Sequence, residues 1–267
     1  MRAGQSLPGA DRPAAPDVDF AVDVMGLAPG QRVLDLACAW GRTTLELARR
    51  GLGATGLDIA PEMVAIARAR AAAEGLDVPF VVAPVRRMPE LGRFDAVTEF
   101  YDDSVISHVD AADDLAALRG VADRLRPGGR FLFGTGDYPR RMPAYQRRER
   151  EEPGQRVVEE IRYEEATRTG TSARTHVGAD RSITYRRVRR HYAPDEVADM
   201  LRASGLRLLD VWCGYRRDLA YDCGSEGMVV LAERDANDPG SQSRASDTAA
   251  WNASTLPESS HVKSVPS

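Results

Sequence analysis

The feature that most restricts this chain is an alternation. From residue 17 to residue 134, apolar runs of strand length take turns with stretches of helix length. The strand-like runs are 32–37 (RVLDLA), 54–58, 80–83, 94–100 (FDAVTEF) and 130–134. The stretches between them read as helices at 17–27, 41–50, 61–74 and 113–125, stopped by Gly30, Gly51, Gly75 and the Pro127-Gly128-Gly129 triplet. Pro61 opens its helix, where a missing N–H does no harm. Runs that are apolar with little polar alternation suit strands buried on both faces. With helices between them, they predict a doubly wound, mostly parallel α/β sheet.

Past Gly136 the texture changes. Residues 138–192 hold fourteen arginines and eight acids, with β-type residues such as Tyr163, Tyr185 and Val188 set among the charges. Period-two spacing of this kind predicts an antiparallel sheet inserted as a cap. A helix over 194–203 and strands over 206–212 and 228–232 would complete the core. The expected organisation is therefore a loose N-terminus (1–16), a ligand-binding core (17–137), a cap (138–192), a core completion (193–234) and a loose tail (235–267). The two ends are too poor in large apolar residues to offset the entropy of ordering them; Trp251 is the one large ring in the tail.

Composition removes several classes of function. Formal net charge is −4, so no global basic field calls for nucleic acid. The only lysine is Lys263, which excludes a catalytic or Schiff-base lysine from the folded part. Three cysteines (Cys38, Cys213 and Cys223) without a C-x-x-C pair, and four histidines without an H-x-x-x-H pair, speak against a disulfide framework and a metal site. With no apolar run of membrane-crossing length and no apolar leader in the first residues, a cytoplasmic protein is expected.

In a doubly wound sheet, ligands sit beyond the carboxyl ends of the strands. The first strand runs out into Asp35-Leu36-Ala37-Cys38-Ala39-Trp40-Gly41, whose small residues let backbone approach a ligand. The second ends at Asp58, a carboxylate placed to accept two ribose hydroxyls. With only Gly41 in the first loop, a G-x-G-x-x-G pyrophosphate cradle is absent.

Taken in order, RVLDLACAWGRTTLELARRG, ATGLDIAPEMVAIARARA, FDAVTEF and LRPGGRFLF resemble the class I S-adenosylmethionine-dependent methyltransferases of small-molecule type. The resemblance runs from about residue 17 to residue 231 and is weakest in the cap. It implies a Rossmann-like sheet of seven strands, the last one antiparallel, and S-adenosyl-L-methionine as cofactor. On that reading Asp35, Ala37 and Gly41 line the methionine moiety, and Asp58 holds the ribose. Ile59 packs on the adenine, Pro84 and Val85 flank it from the other side, and Glu99 and Phe100 lie near the sulfonium. The chain departs from the family's D-x-G-x-G-x-G pattern at Ala37 and Ala39, which are disfavoured if the backbone there has positive φ. It also has Pro84 where the family often has an acid. Trp40 either walls the pocket or packs on the cap.

For the chemistry, Tyr101, Asp102 and His191 are the candidate catalytic residues. Asp102 and Asp103 could instead cap the next helix. His108, in a His-Val-x-Asp segment that the family often carries, could be a base or a structural hydrogen-bonding group. The resemblance implies a small-molecule acceptor of secondary-metabolite type, methylated on O, N or C, with no membrane or nucleic-acid partner, and allows a homodimer. Two alternatives stay open: a non-methylating reaction on the same fold, such as a cyclisation or decarboxylation, and a non-catalytic partner subunit.

Overall fold

A computed structural model describes residues 13–100, 105–135, 144–152, 154–218, 221 and 227–235. Trp251, Lys263, Cys223 and the expected loose ends, apart from residues 13–16 and 235, lie outside them. The chain builds two sheets. The larger has seven strands: β1 (Arg32–Leu36), β2 (Gly53–Asp58), β3 (Phe80–Val82), β4 (Phe94–Glu99), β5 (Leu125–Thr135), β10 (Leu206–Cys213) and β11 (Met228–Arg234). Their order is β10-β11-β5-β4-β1-β2-β3. β11 runs antiparallel to both neighbours, and every other pairing is parallel. The helices are α1 (Ala15–Met25), α2 (Arg42–Arg49), α3 (Pro61–Ala73), α4 (Ala111–Arg124) and α5 (Pro194–Ala203).

Alternate residues of each central strand serve opposite faces. Leu34 and Leu36 of β1, with Phe131 and Phe133 of β5, join Leu115 and Leu118 of α4 and Met200 and Leu201 of α5 in one apolar cluster. Val33 and Leu132, in between, belong to a second cluster with Val18 and Ala21 of α1 and Leu47 of α2. Each such side chain contributes about 1.5–3 kcal/mol by leaving water. The core sheet is buried on both sides for this reason.

Two boundaries differ from the sequence reading. β5 starts at Leu125, immediately after α4, and the Pro127-Gly128-Gly129 triplet lies inside it. Pairing with β4 jumps there from Phe94↔Leu125 to Ala96↔Arg130. A proline cannot donate to the ladder, so the strand bulges rather than ends. β11 reaches Arg234, whose buried guanidinium donates to the carbonyls of Ala122 (2.7 Å) and Leu125 (2.6 Å). That charge closes the carbonyl end of α4, as a cation at a helix C-terminus should.

The second sheet is antiparallel, in the order β6 (Tyr145–Glu152), β7 (Gln155–Glu164), β8 (Thr169–Gly178) and β9 (Ser182–Arg190). It is tied to the core where Arg190 N donates to Ser107 O (3.0 Å), just before the chain enters α5. Opposite charges meet across its strands, as Arg174 and Glu159 do at 2.7 Å.

Candidate functional site

Because its strands are parallel, the core sheet gathers the ends of β1, β2 and β4 on one edge. β1 leaves the sheet at Leu36, and the next residues turn sharply. Ala37 (φ 50°), Ala39 (φ 47°) and Gly41 (φ 80°) all have left-handed backbone. For an alanine that conformation costs roughly 1–2 kcal/mol, so the loop carries strain where the family's glycines would not.

Two carboxylates hold the loop in this shape. Asp58, at the end of β2, accepts from Ala39 N and from Ala60 N, both at 2.8 Å. Asp35, inside β1, is fully buried and accepts from the hydroxyls of Thr44 (2.6 Å), Thr43 (2.8 Å) and Thr98 (3.0 Å). Burial pushes its carboxyl up from the usual range, and the three hydroxyls pull it back. Expected from the resemblance beside a methionine moiety, Asp35 here ties α2 to β1 and β4 through its oxygens, beneath the loop.

Gly41, expected beside the same moiety, is the N-cap of α2. A Cβ there would meet the Cβ of Ala67 at 3.1 Å and the ring of Phe80 at 3.3 Å, so its bare side faces the core. Trp40 packs under Arg70, whose guanidinium lies 4.3 Å from the ring centroid. Trp40 thus packs against α3. Val85 is buried in the α4 cluster with Ala83, held there by a short 3-10 turn over Val85–Arg87 that follows Pro84. The turn bends Val85 into that cluster.

Other residues do lie on the edge. Ile59 is 69% exposed directly after Asp58, an unusual place for a large apolar side chain. Glu99 ends β4, buried, and accepts from Val105 N (3.1 Å). Phe100 stacks on Tyr215, with ring centroids 5.5 Å apart and planes at 29°. Tyr101, Asp102 and Asp103 lie outside the described residues. The cap of α4 is Asp110, whose carboxylate accepts from Ala112 N (2.9 Å).

Of the histidines, His191 is buried edge-on to Tyr163, at 5.8 Å and 76°, and over Gly170, where a Cβ would meet its Nε2 at 2.8 Å. It packs against the outer sheet. His108 behaves differently. Its Nδ1 is hydrogen-bonded to Asp114, a fully buried carboxylate on α4 that also accepts from Tyr192 Oη (2.6 Å), His108 N (3.0 Å) and Ser107 N (3.2 Å). The sequence held a signal for this cluster: Asp114 lies one α4 turn past Asp110, and Tyr192 stands where the cap rejoins the core. Nothing in one dimension joined them.

With this geometry in hand, comparison with known proteins is informative. Residues 33–129 match the family model for a methyltransferase domain. Over 109 residues the chain is 37% identical to a ubiquinone biosynthesis O-methyltransferase from Xanthomonas campestris, covering 40% of this chain and 44% of that protein. A protein of the same description from Aeromonas salmonicida is 31% identical over 120 residues, 48% of its length. The matches thus span less than half of these curated relatives. Among solved structures, an S-adenosylmethionine-dependent methyltransferase from Clostridium acetobutylicum superposes with a TM-score of 0.75 at 19% identity, covering 86% of this chain and 95% of that one. CalS10 from Micromonospora echinaspora, an amino pentose methyltransferase, gives 0.62 at 23% identity, covering 86% and 92%. Residues 33–129 thus match the model of a methyltransferase domain, and the chain shares the fold of solved S-adenosylmethionine-dependent methyltransferases.

Proposed function

We propose that this protein transfers a methyl group from S-adenosyl-L-methionine to a small-molecule acceptor. The observation that carries the reading is Asp58. It ends β2 on the ligand edge, gripped by Ala39 N and Ala60 N and followed by the exposed Ile59. A carboxylate has about four acceptor sites, and the two backbone donors leave room for two ribose hydroxyls. Ile59 offers an adenine an apolar face. Ala37 and Ala39 carry the smallest side chains after glycine and admit a ligand close to the backbone. These residues fit the group.

When bound, the cofactor supplies an electrophilic methyl on a sulfonium, which leaves as a neutral thioether. The protein's part is to align the acceptor and to exclude water. Asp35 does so indirectly, by fixing the loop through Thr43, Thr44 and Thr98. Glu99 and Phe100 border the place where an acceptor would meet the methyl group. We assign residues 138–192 to acceptor selection: the insertion leaves β5 on the ligand edge and returns through His191 and Tyr192. The names of the relatives support an acceptor of metabolite size, such as a quinone precursor or an amino sugar. The same reading expects a cytoplasmic location, allows a homodimer and disfavours a nucleic-acid partner. The strained alanine loop favours one competitor, a protein of this fold with weakened cofactor binding that does other chemistry.

Calorimetric titration with S-adenosylmethionine and with S-adenosylhomocysteine tests the first half of the proposal. Transfer of labelled methyl to a panel of catechols, phenols and amino sugars tests the second. No binding heat for either nucleoside would remove the reading. Binding without transfer to any acceptor would favour the competitor.

A further inference from the structure

We propose that His108 is the general base of the reaction, and that the acceptor is a phenolic hydroxyl. The inference rests on the methyl-transfer reading above. It begins from how the His108 ring is held. Nδ1 is bonded to Asp114, whose side chain is 0% exposed, while the His108 side chain is 26% exposed. The ring's other nitrogen, Nε2, has no hydrogen-bond partner among the described residues. A neutral imidazole whose Nδ1–H points at a carboxylate presents Nε2 as an acceptor. That is the arrangement in which a buried carboxylate orients a base and stabilises the cation it becomes.

The surroundings make the carboxylate a dedicated partner. Asp114 takes four donors: two backbone N–H groups of the 105–110 loop, the His108 ring and the Tyr192 hydroxyl. Burial, together with the Asp114 charge, pushes the Tyr192 phenol well above its ordinary range, so it remains a donor. Tyr192 comes from the chain's return out of the outer sheet and Ser107 and His108 from the loop after β4. Asp114 therefore locks His108 to both sides of the site, and Asp114 and Tyr192 are positioning residues.

The loop itself hangs on the ligand edge. Val105 N bonds the carboxylate of Glu99, the last residue of β4, at 3.1 Å. Ser107 Oγ lies 3.1 Å from Oγ1 of Thr135, the last residue of β5. His108 is thus anchored to the ends of both strands beside which an acceptor must sit.

The acceptor class follows from the base. A neutral amine attacks through its lone pair before it loses a proton, so an oriented imidazole serves it less. A phenol is far closer in acidity to imidazolium than an alkyl hydroxyl is, so it gains most from concerted transfer to such a base. In the step, an oxygen lone pair of the phenol forms the new O–CH3 bond, and the C–S bonding pair departs with sulfur. The phenolic proton moves to His108 Nε2. The imidazolium then passes it to solvent through its exposed edge.

Asparagine separates this role from a structural one, because its amide N–H can replace Nδ1–H towards Asp114 but offers nothing in place of Nε2. His108→Asn should keep its melting temperature and its affinity for S-adenosylhomocysteine, and lose methyl transfer to catechol by about 10²–10⁴-fold. In the wild-type protein, diethyl pyrocarbonate should modify His108 at Nε2 ahead of the buried His191, abolishing transfer to catechol while nucleoside binding persists. Full turnover of catechol by His108→Asn, an unreactive His108, or transfer to amino sugars alone would each overturn this proposal and leave the methyl-transfer reading standing. Bound nucleoside without transfer to any acceptor would overturn both.

Discussion

In β5, Phe131, Leu132 and Phe133 are buried on both faces of the sheet, whereas in β9 every residue from Ser182 to Val188 is exposed. Both are well-paired strands, but different forces hold them. β5 is clamped between the α4–α5 cluster and the α1–α2 cluster, so the transfer of apolar surface out of water dominates its stability. β9 has one neighbour, β8, and relies on the backbone ladder and cross-strand pairs such as His176 edge-on to Tyr185 at 5.7 Å. A sheet held in that way tolerates changes of side chain that a doubly buried sheet does not. Under the proposed function, the core would serve an unchanging task, holding a nucleoside, and the outer sheet a variable one, selecting an acceptor.

The contrast breaks first at its strongest point. Phe133→Ala should destabilise the protein by about 3–5 kcal/mol in denaturant titration, since it empties a site between β5 and the helices. A loss below 1 kcal/mol would mean that the core is not the close-packed layer described here.

Asp58→Ala should weaken S-adenosylhomocysteine binding by about 1–3 kcal/mol, the usual cost of leaving buried hydrogen-bonding groups unpaired. Unchanged affinity in calorimetry would move the nucleoside away from this edge of the core sheet.

Ala39→Gly relieves a left-handed alanine. After allowing for the extra freedom glycine gains in the unfolded chain, it should stabilise the protein by about 0.5–1 kcal/mol. A lower melting temperature would show that the alanine methyl makes packing contacts that outweigh the backbone strain.

The smallest effect belongs to the outer sheet. Arg174→Ala removes a half-exposed partner of Glu159 and should change stability by no more than about 0.5 kcal/mol. On the same sheet face, because Glu159↔Arg174↔Tyr185 are cross-strand partners, Tyr185→Ala should alter acceptor turnover more than nucleoside affinity. The reverse pattern would place acceptor selection outside this sheet.

Much of the core was legible because its physics is local. Glycines stop helices, Pro61 starts one, and a doubly buried strand must be apolar throughout. Hence the element order and the position of Asp58 at the end of β2 followed from the linear pattern. The charged cap was legible as β structure for a related reason: valine, threonine and tyrosine at alternate positions suit a pleated surface. The pattern was silent on where side chains would be drawn. The family resemblance makes Asp35 a ligand-facing acid. Only folding brings Thr98, sixty-three residues away, against its oxygens. Val85 reads as a nucleobase neighbour, yet a short 3-10 turn bends it into the α4 cluster.

His108 and His191 show the division most plainly. On sequence they are two histidines, each beside an element boundary, and His191 looks the better base. The fold buries His191 against Tyr163 and Gly170 and sets His108 on Asp114, with Tyr192 arriving from seventy-eight residues away. The sequence by itself determined the sheet, its helices and the edge where the small-residue loop lies, because hydrophobic period and backbone freedom are properties of short segments. Which carboxylate lies beneath the loop and which histidine has an oriented ring were decided by the tertiary structure alone. Hydrogen bonds between buried polar groups depend on distances in space that the order of residues does not encode.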